Sequence, residues 1–315
     1  MIRYLLRRLG FLLLTALITS MIVFIVTQLL PGDIARVLLG REAGEAAVEA
    51  LRQELGLNDP WPVQYANWLK GFVRGDWGQS FSTGADVLGL VSPRLRNSLM
   101  LASVVLLVSV PTALLLGVVS GLNQDKPIDH VISIGSLAVV GLPEFVTGLV
   151  LIQVFAFGLG WLPANSSIRL QAGFFEALPM LILPALTATL VLLAYIARLT
   201  RAGVIEELHK PYVRTAQLKG LPARTVTLRH LLRNALLPTI TVIAISLGWM
   251  ISGLIVIENV FNYPGLGRLM VFAIDRRDLP LLQAVTMITV VAFAGANLAA
   301  DLLYAALNPR IRLGR

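Results

Sequence analysis

Two carboxylates stand where their surroundings make them expensive. Glu144 and Asp301 lie in or beside long apolar runs, and an ionisable group at membrane depth is costly enough to count as a functional candidate. Glu144 follows Pro143 near the middle of its run, and its residue type fits two roles there. It either lines a polar translocation path or serves as an interhelical hydrogen-bonding or protonated structural carboxyl. Asp301 reads more simply as a helix-end charge, with Arg310 and Arg312 a few turns on. The other conspicuous stretch is residues 205–238, where Lys210, Arg214, Lys219, Arg224, Arg229 and Arg233 face only Glu206 and Glu207.

Catalytic chemistry finds no support in the residues. There is no Gly-x-x-x-x-Gly-Lys-Ser/Thr loop to cradle phosphates, no Gly-x-Ser-x-Gly and no His-Glu-x-x-His. His130, His209 and His230 have no metal-site companion at helical spacing, and the chain contains no cysteine. This chain is therefore expected to hold no cofactor or metal and to perform no reaction by itself. Asn165-Ser166-Ser167 matches a glycosylation sequon and reads as loop.

The elements that must position these residues are membrane helices. Hydrophobic residues make up 56% of the 315-residue chain and charged ones only 14%, with a mean hydropathy of +0.77. The net charge of +8 points to membrane topology and not to nucleic acid, because of where the cations fall. The first apolar run, about 9 to 30, follows Arg3, Arg7 and Arg8; at roughly 1.5 Å per residue it reaches about 33 Å, enough to span and longer than a signal-peptide core. We read it as a retained anchor. Five more runs follow at about 97–121, 131–157, 179–200, 238–257 and 282–307.

Six spans place both termini on one side. The cation-rich segments are the N-terminus, Lys126, Arg198 to Arg233 and the C-terminus, and the positive-inside bias makes them cytoplasmic. The expected organisation is a tail and first helix (1–30), an extracytoplasmic insertion (31–95), and a five-helix core (96–315) carrying an inner loop at 201–237. Pro111, Pro143 and Pro184 mark the second, third and fourth spans and read as packing kinks. In the insertion, residues 44–55 fit a surface helix with Ala47, Val48, Leu51 and Leu55 on one face. Trp61, Tyr65, Trp68 and Trp77 are expected to pack the insertion or rest at the membrane interface.

The inner loop reads as two helices with a bend. Pro211 suits a first helical turn, while Gly220 and Pro222 supply a stop and a restart. Tyr212, Ala216 and Lys219 recur at spacings of four and three, so they share one face, which a partner could approach closely at Ala216.

The same residues carry a family resemblance. Arg214-Thr215-Ala216, three residues and then Gly220 resemble the Glu-Ala-Ala-x-x-x-Gly loop of ABC importer permeases, with Arg214 and Thr215 departing from its Glu and Ala. YVRTAQLKGL followed by RHLLRNALLP is similar to the dipeptide, oligopeptide and nickel branch, specifically its first-permease type. Leu30-Pro31-Gly32-Asp33, GLNDPWPVQY, RGDWGQS, LPEFVTGL, GWLPA, ENVFNYPGLGRL, DRRDLPLLQAV and DLLYAALNPRIR extend the likeness over nearly the whole chain.

The resemblance implies the six-helix type I importer permease fold in a bacterial inner membrane. It also implies a second homologous permease, an extracytoplasmic substrate-binding protein, and two cytoplasmic ATPase subunits that bind the ATP and Mg. Tyr212, Arg214, Thr215, Ala216, Lys219 and Gly220 would then lie in the loop that docks on an ATPase. The outer segment and residues 258–269 are expected to help receive the binding protein. Peptide is the expected cargo, with nickel, glutathione or another small solute as the alternative. A stand-alone secondary transporter would instead show inverted repeats and several buried midplane charges, whereas Glu144 is the one candidate.

Overall fold

The computed structural model describes residues 2–29, 34–40, 43–54, 56–168 and 173–307. The described residues are almost wholly helical, relieved by an isolated antiparallel bridge between Gln79 and Asp86. Long helices follow from the long apolar runs, since backbone polar groups in hydrocarbon must be satisfied within their own segment.

Helix α1 (Ile2–Leu29) opens the chain. The insertion then forms α2 (Ile34–Leu39), α3 (Glu45–Glu54) and α4 (Trp61–Arg74). On α3 the expected inner face is reduced to a buried Val48 and a half-buried Leu51, while Ala47 is exposed and Leu55 lies outside the described residues. The aromatic residues of α4 pack as expected. Phe24 of α1 meets Tyr65 edge-on at 5.5 Å and Trp68 at 6.0 Å, and Phe72 stacks on Trp77 at 5.3 Å. Ser20 and Tyr65 share a 2.7 Å hydrogen bond, which fixes α4 against the anchor. Trp61 is half-exposed.

Two helices exceed a bilayer's needs. α5 (Val87–Leu122) starts about ten residues before its apolar run because Asp86 caps it, accepting from Gly89 N at 2.7 Å. α8 (Phe174–Leu208) continues beyond the expected end near residue 200 into the basic loop. These two form the most extensive pairing in the molecule. Small residues let them touch: a Cβ on Gly117 would lie 2.5 Å from Thr200 Cβ, and one on Gly121 2.7 Å from Val204 Cβ.

The third span is broken, not merely kinked. α6 (Pro127–Val140) and α7 (Glu144–Leu151), which runs on as a π-helical turn to Gly158, meet at 106°. Pro143 has no N–H to continue a helix and takes extended backbone angles, φ −57° and ψ 140°, so a new helix begins at Glu144. After α9 (Pro211–Leu218) and α10 (Ala223–Ala235), α11 (Leu237–Val260) departs at 51°. α12 (Leu266–Asp275) and α13 (Leu279–Leu307) complete the chain.

Four described helices are long and apolar enough to cross a membrane unbroken, and counting each of the two bent pairs as one span gives up to six. The central core is built from α5, α8 and α11 around Leu101, Leu181, Ile196, Met250, Ile257 and Tyr263. Smaller clusters sit at its two ends. One joins Val87 and Val91 to Leu266, Leu281 and Val285, and the other lies beneath the basic loop. Outward-facing Leu13, Leu107, Val131 and Leu149 are more than half exposed, a surface suited to lipid and not to water.

Candidate functional site

The basic loop is fastened to the end of α8. Glu207, almost fully buried, accepts hydrogen bonds from Lys210 Nζ and from the Tyr212 hydroxyl, and Asn234 Nδ2 donates to Tyr212 Oη at 3.3 Å. α8, α9 and α10 thus meet at one phenol. Burial, reinforced by the Glu207 carboxylate, raises the Tyr212 phenol above its ordinary value, which keeps it a donor at neutral pH. Gly220 takes φ +73°, the left-handed conformation that ends α9, and Pro222 opens α10. The expected helix-bend-helix shape is present.

The face that spacing marked for a partner is not wholly free. Ala216 is only 7% exposed and packs with Val213, Val204, Val226, Leu231 and Ala235, while Tyr212 is half-buried against them. Of the three co-facial residues, Lys219 alone is exposed. Ala216 is small because it touches the loop's own second helix. The solvent side of α9 and its turn consists of Arg214, Thr215, Gln217, Leu218, Lys219 and Gly220. Leu218 is 80% exposed, a large apolar side chain amid cations. Periodicity grouped the co-facial residues correctly but could not tell which side faced inward.

An ion pair unforeseen in the sequence braces this end. Asp129, buried at the start of α6, accepts from Arg201 Nε at 2.6 Å and Nη2 at 2.7 Å, from Asp125 N at 3.0 Å, and from Ser120 Oγ. Its position four residues after Asp125 gave no sign of a partner 72 residues away.

At the opposite end two further buried carboxylates organise the turns. Asp278 accepts from Ser80 Oγ (2.5 Å), Ser82 Oγ (2.7 Å), Ser82 N (3.0 Å) and Phe81 N (3.1 Å), clasping the insertion to the start of α13. Burial alone would raise its pKa, but these four hydrogen bonds outweigh it and hold the carboxyl below its usual range. Glu258 accepts from Ser98 Oγ at 2.5 Å and Gly267 N at 2.6 Å. Tyr263 Oη donates to Asn97 O at 2.8 Å, and Asn97 Nδ2 returns a bond to Pro264 O at 2.9 Å. The stretch 258–269, expected to help receive the binding protein, buries its aromatics Phe261 and Tyr263 completely. Its glycines explain the inward fold: a Cβ on Gly265 would lie 2.2 Å from the Glu258 carboxyl.

Glu144 opens α7 and lines a cleft of about 480 Å³ with Val140, Leu192, Tyr195, Val242 and Ile245. The cleft is strongly apolar apart from Glu144, Tyr195 and Ser246. Asp301 lies on α13, but its side chain is outside the described residues, as are Arg310, Arg312 and the Leu30–Asp33 motif. His130, His209 and His230 are exposed, and no group of three potential metal-ligating side chains occurs among the described residues.

A polytopic helical protein with a basic helix-bend-helix loop between spans, and with no catalytic constellation among the described residues, has the form of a transport permease. The chain belongs to the family of binding-protein-dependent transport system inner membrane components, whose model matches residues 113–313, while the corresponding N-terminal model matches 1–102. It is 38% identical to a probable peptide ABC transporter permease of Sinorhizobium fredii, over 98% of this chain and 99% of that one. It is similarly 38% identical to the glutathione transport system permease GsiC of Pectobacterium atrosepticum and 36% identical to that of Escherichia coli K12, each over 99% of both chains. This is a multi-pass permease subunit of an ABC importer.

Proposed function

We propose that the chain carries short peptides inward across a bacterial cytoplasmic membrane, with both termini and the 201–237 loop in the cytoplasm. Glutathione, itself a tripeptide, is the nearest alternative cargo, consistent with the names of two relatives; nickel is more remote. The working complex pairs this subunit with a second permease, two ATPase subunits that bind ATP and Mg, and an extracytoplasmic binding protein. Energy comes from the ATPases, since the chain has no phosphate loop. Membrane lipid surrounds the spans and nucleic acid plays no part.

The observation that carries the coupling role is the exposed Leu218, flanked by Arg214 and Lys219 on a loop that already satisfies its own interior. An apolar knob in a cationic surround suits a groove with an acidic rim. Tyr212 and Ala216 support that surface from beneath, and Gly220 turns it. Glu144 lines the path taken by the cargo.

Leu218→Glu tests this cleanly because the side chain touches no core. Insertion and thermal stability should stay within about 0.5 kcal/mol of wild type, as for other surface substitutions, while recovery of the ATPase subunits and peptide uptake collapse. Ala216→Glu is less discriminating, since it also disrupts the loop's own packing. Wild-type ATPase recovery and uptake by Leu218→Glu would remove the loop from the coupling path. Labelling of a cysteine introduced at position 217 by an impermeant thiol reagent in intact cells, without labelling at position 58, would invert the orientation.

A further inference from the structure

The importer reading leaves unsaid how the path recognises what passes along it. α8 aligns Val191, Tyr195, Arg198 and Ala202 at spacings of four, three and four, one stripe beside α6. Two clefts lie along that stripe. The first, of about 480 Å³, contains Glu144 as its single ionisable carboxylate, and the second, of about 500 Å³, is bounded by Ser133 and Leu137 of α6 and by Arg198 and Arg201 of α8. Tyr195 lines both and is 58% exposed. The clefts therefore form one trough with an aromatic at its waist.

Charge differs at the two ends. Arg201 is engaged by both oxygens of Asp129, whereas Arg198 has no carboxylate partner among the described residues and is exposed. It lies at the basic-loop end of the fourth apolar run, two residues before its expected close near residue 200. Neither Glu144 nor Arg198 has an ion-pair partner among the described residues, so each is available to a charge of opposite sign on an occupant. From Leu192, beside Glu144 in the first cleft, to Arg198 is six residues, or about 9 Å along the helix.

Resting on the importer reading, we propose that this trough is a two-ended subsite for a peptide of about three residues with free termini, whose extended length is about 10 Å. Glu144 receives the α-ammonium, Tyr195 flanks the backbone, and Arg198 receives the terminal carboxylate. A phospholipid phosphate offers Arg198 the same anionic chemistry. A zwitterionic head group, however, separates its charges by only a two-carbon linker and does not span the trough.

The test uses the complete transporter in proteoliposomes, with trialanine or trialanine amide preloaded on the binding protein. Arg198→Gln should lower trialanine uptake about tenfold, the worth of one charged hydrogen bond, while changing amide uptake less than about twofold. Arg198→Lys should keep the wild-type preference. Glu144→Gln should likewise discriminate less between trialanine and its N-acetyl derivative. If the binding protein refuses the amide, trialanine alone decides: rescue by Lys that is independent of anionic lipid supports the subsite. Equal loss for both peptides, no loss, or a loss that tracks anionic lipid content overturns it and, in the last case, assigns Arg198 to lipid phosphate. A wild-type complex that moves no peptide refutes the cargo reading itself, and this subsite with it.

Discussion

The two ends of the helical bundle are fastened alike within and differ in what they leave on the surface. Around Asp278 and Glu258, buried carboxylates meet hydroxyls and backbone N–H groups from segments 160 to 198 residues away. Those bonds join segments that also border the apolar cluster around Val87, Leu266 and Leu281. The basic end also has buried carboxylates, Asp129 bound to Arg201 and Glu207 bound to Lys210 and Tyr212, over a small apolar cluster, but it leaves Arg214, Lys219, Arg224 and Arg229 exposed. A buried, satisfied carboxylate gives rigidity that one chain can complete alone. The cation-rich end is finished on its inner side and open on its outer side, the condition of a surface awaiting a partner.

The contrast is most vulnerable at Asp278. Asp278→Ala strands two serine hydroxyls and two backbone N–H groups, and at 1.5–3 kcal/mol per charged bond it should cost about 3 kcal/mol or more. The expected readout is a marked fall in thermal unfolding temperature in detergent, with the insertion becoming protease-sensitive. An unchanged melting profile would mean that the clasp holds nothing.

Gly203→Ala probes the other end. A Cβ there would lie 2.5 Å from the carbonyl oxygen of Ala235, so α10 must shift away from α8 at a cost of about 1–3 kcal/mol. Hydrogen exchange should accelerate across 209–235 while the central core keeps its protection. If the whole molecule loosened as much as in Asp278→Ala, the basic end would not be a separately held unit.

Tyr212→Phe removes the link between Glu207 and Asn234 and should cost about 1 kcal/mol. Its effect should be confined to exchange at 209–222, with ATPase recovery reduced by less than in Leu218→Glu.

The smallest effect concerns pH. Asp278 has a folded pKa below its ordinary value of about 3.9, so its stabilisation is complete above that value and is lost as pH falls through the depressed folded one. The clasp should therefore make no contribution to any stability change between pH 5 and 8, and begin to fail only below about pH 4. The difference in melting temperature between wild type and Asp278→Ala, followed against pH, measures this directly; a difference that shrank already between pH 7 and 5 would contradict it.

The spans and the loop's bend were legible because composition and Pro or Gly placement act locally: Pro211, Gly220 and Pro222 fix backbone options wherever they occur. Packing of Tyr65 and Trp68 was legible as well, because large aromatics at helical spacing seek a neighbour. Asp129, Glu258 and Asp278 were not, since each draws at least one partner from remote sequence, and only the folded chain brings them together. The inward turn of Ala216 escaped for a related reason: spacing defines a face, while the orientation of that face depends on what packs against it. Glu144 was legible as a costly carboxylate, but the cleft beside it requires α8 and α11 to be in place.

From Ala185 to Leu208, α8 contains no proline and runs unbroken from the wall of the Glu144 cleft to the root of the basic loop. A stretch of that length is a stiff rod about 36 Å long. Tilting it by about 10° around its middle would carry each end roughly 3 Å in opposite directions. Leu192, about 7 Å from that middle, would move only about 1 Å and Tyr195 would stay near the pivot, so a push on the loop is passed mainly to the far end of the rod near Ala185 without a hinge inside the helix.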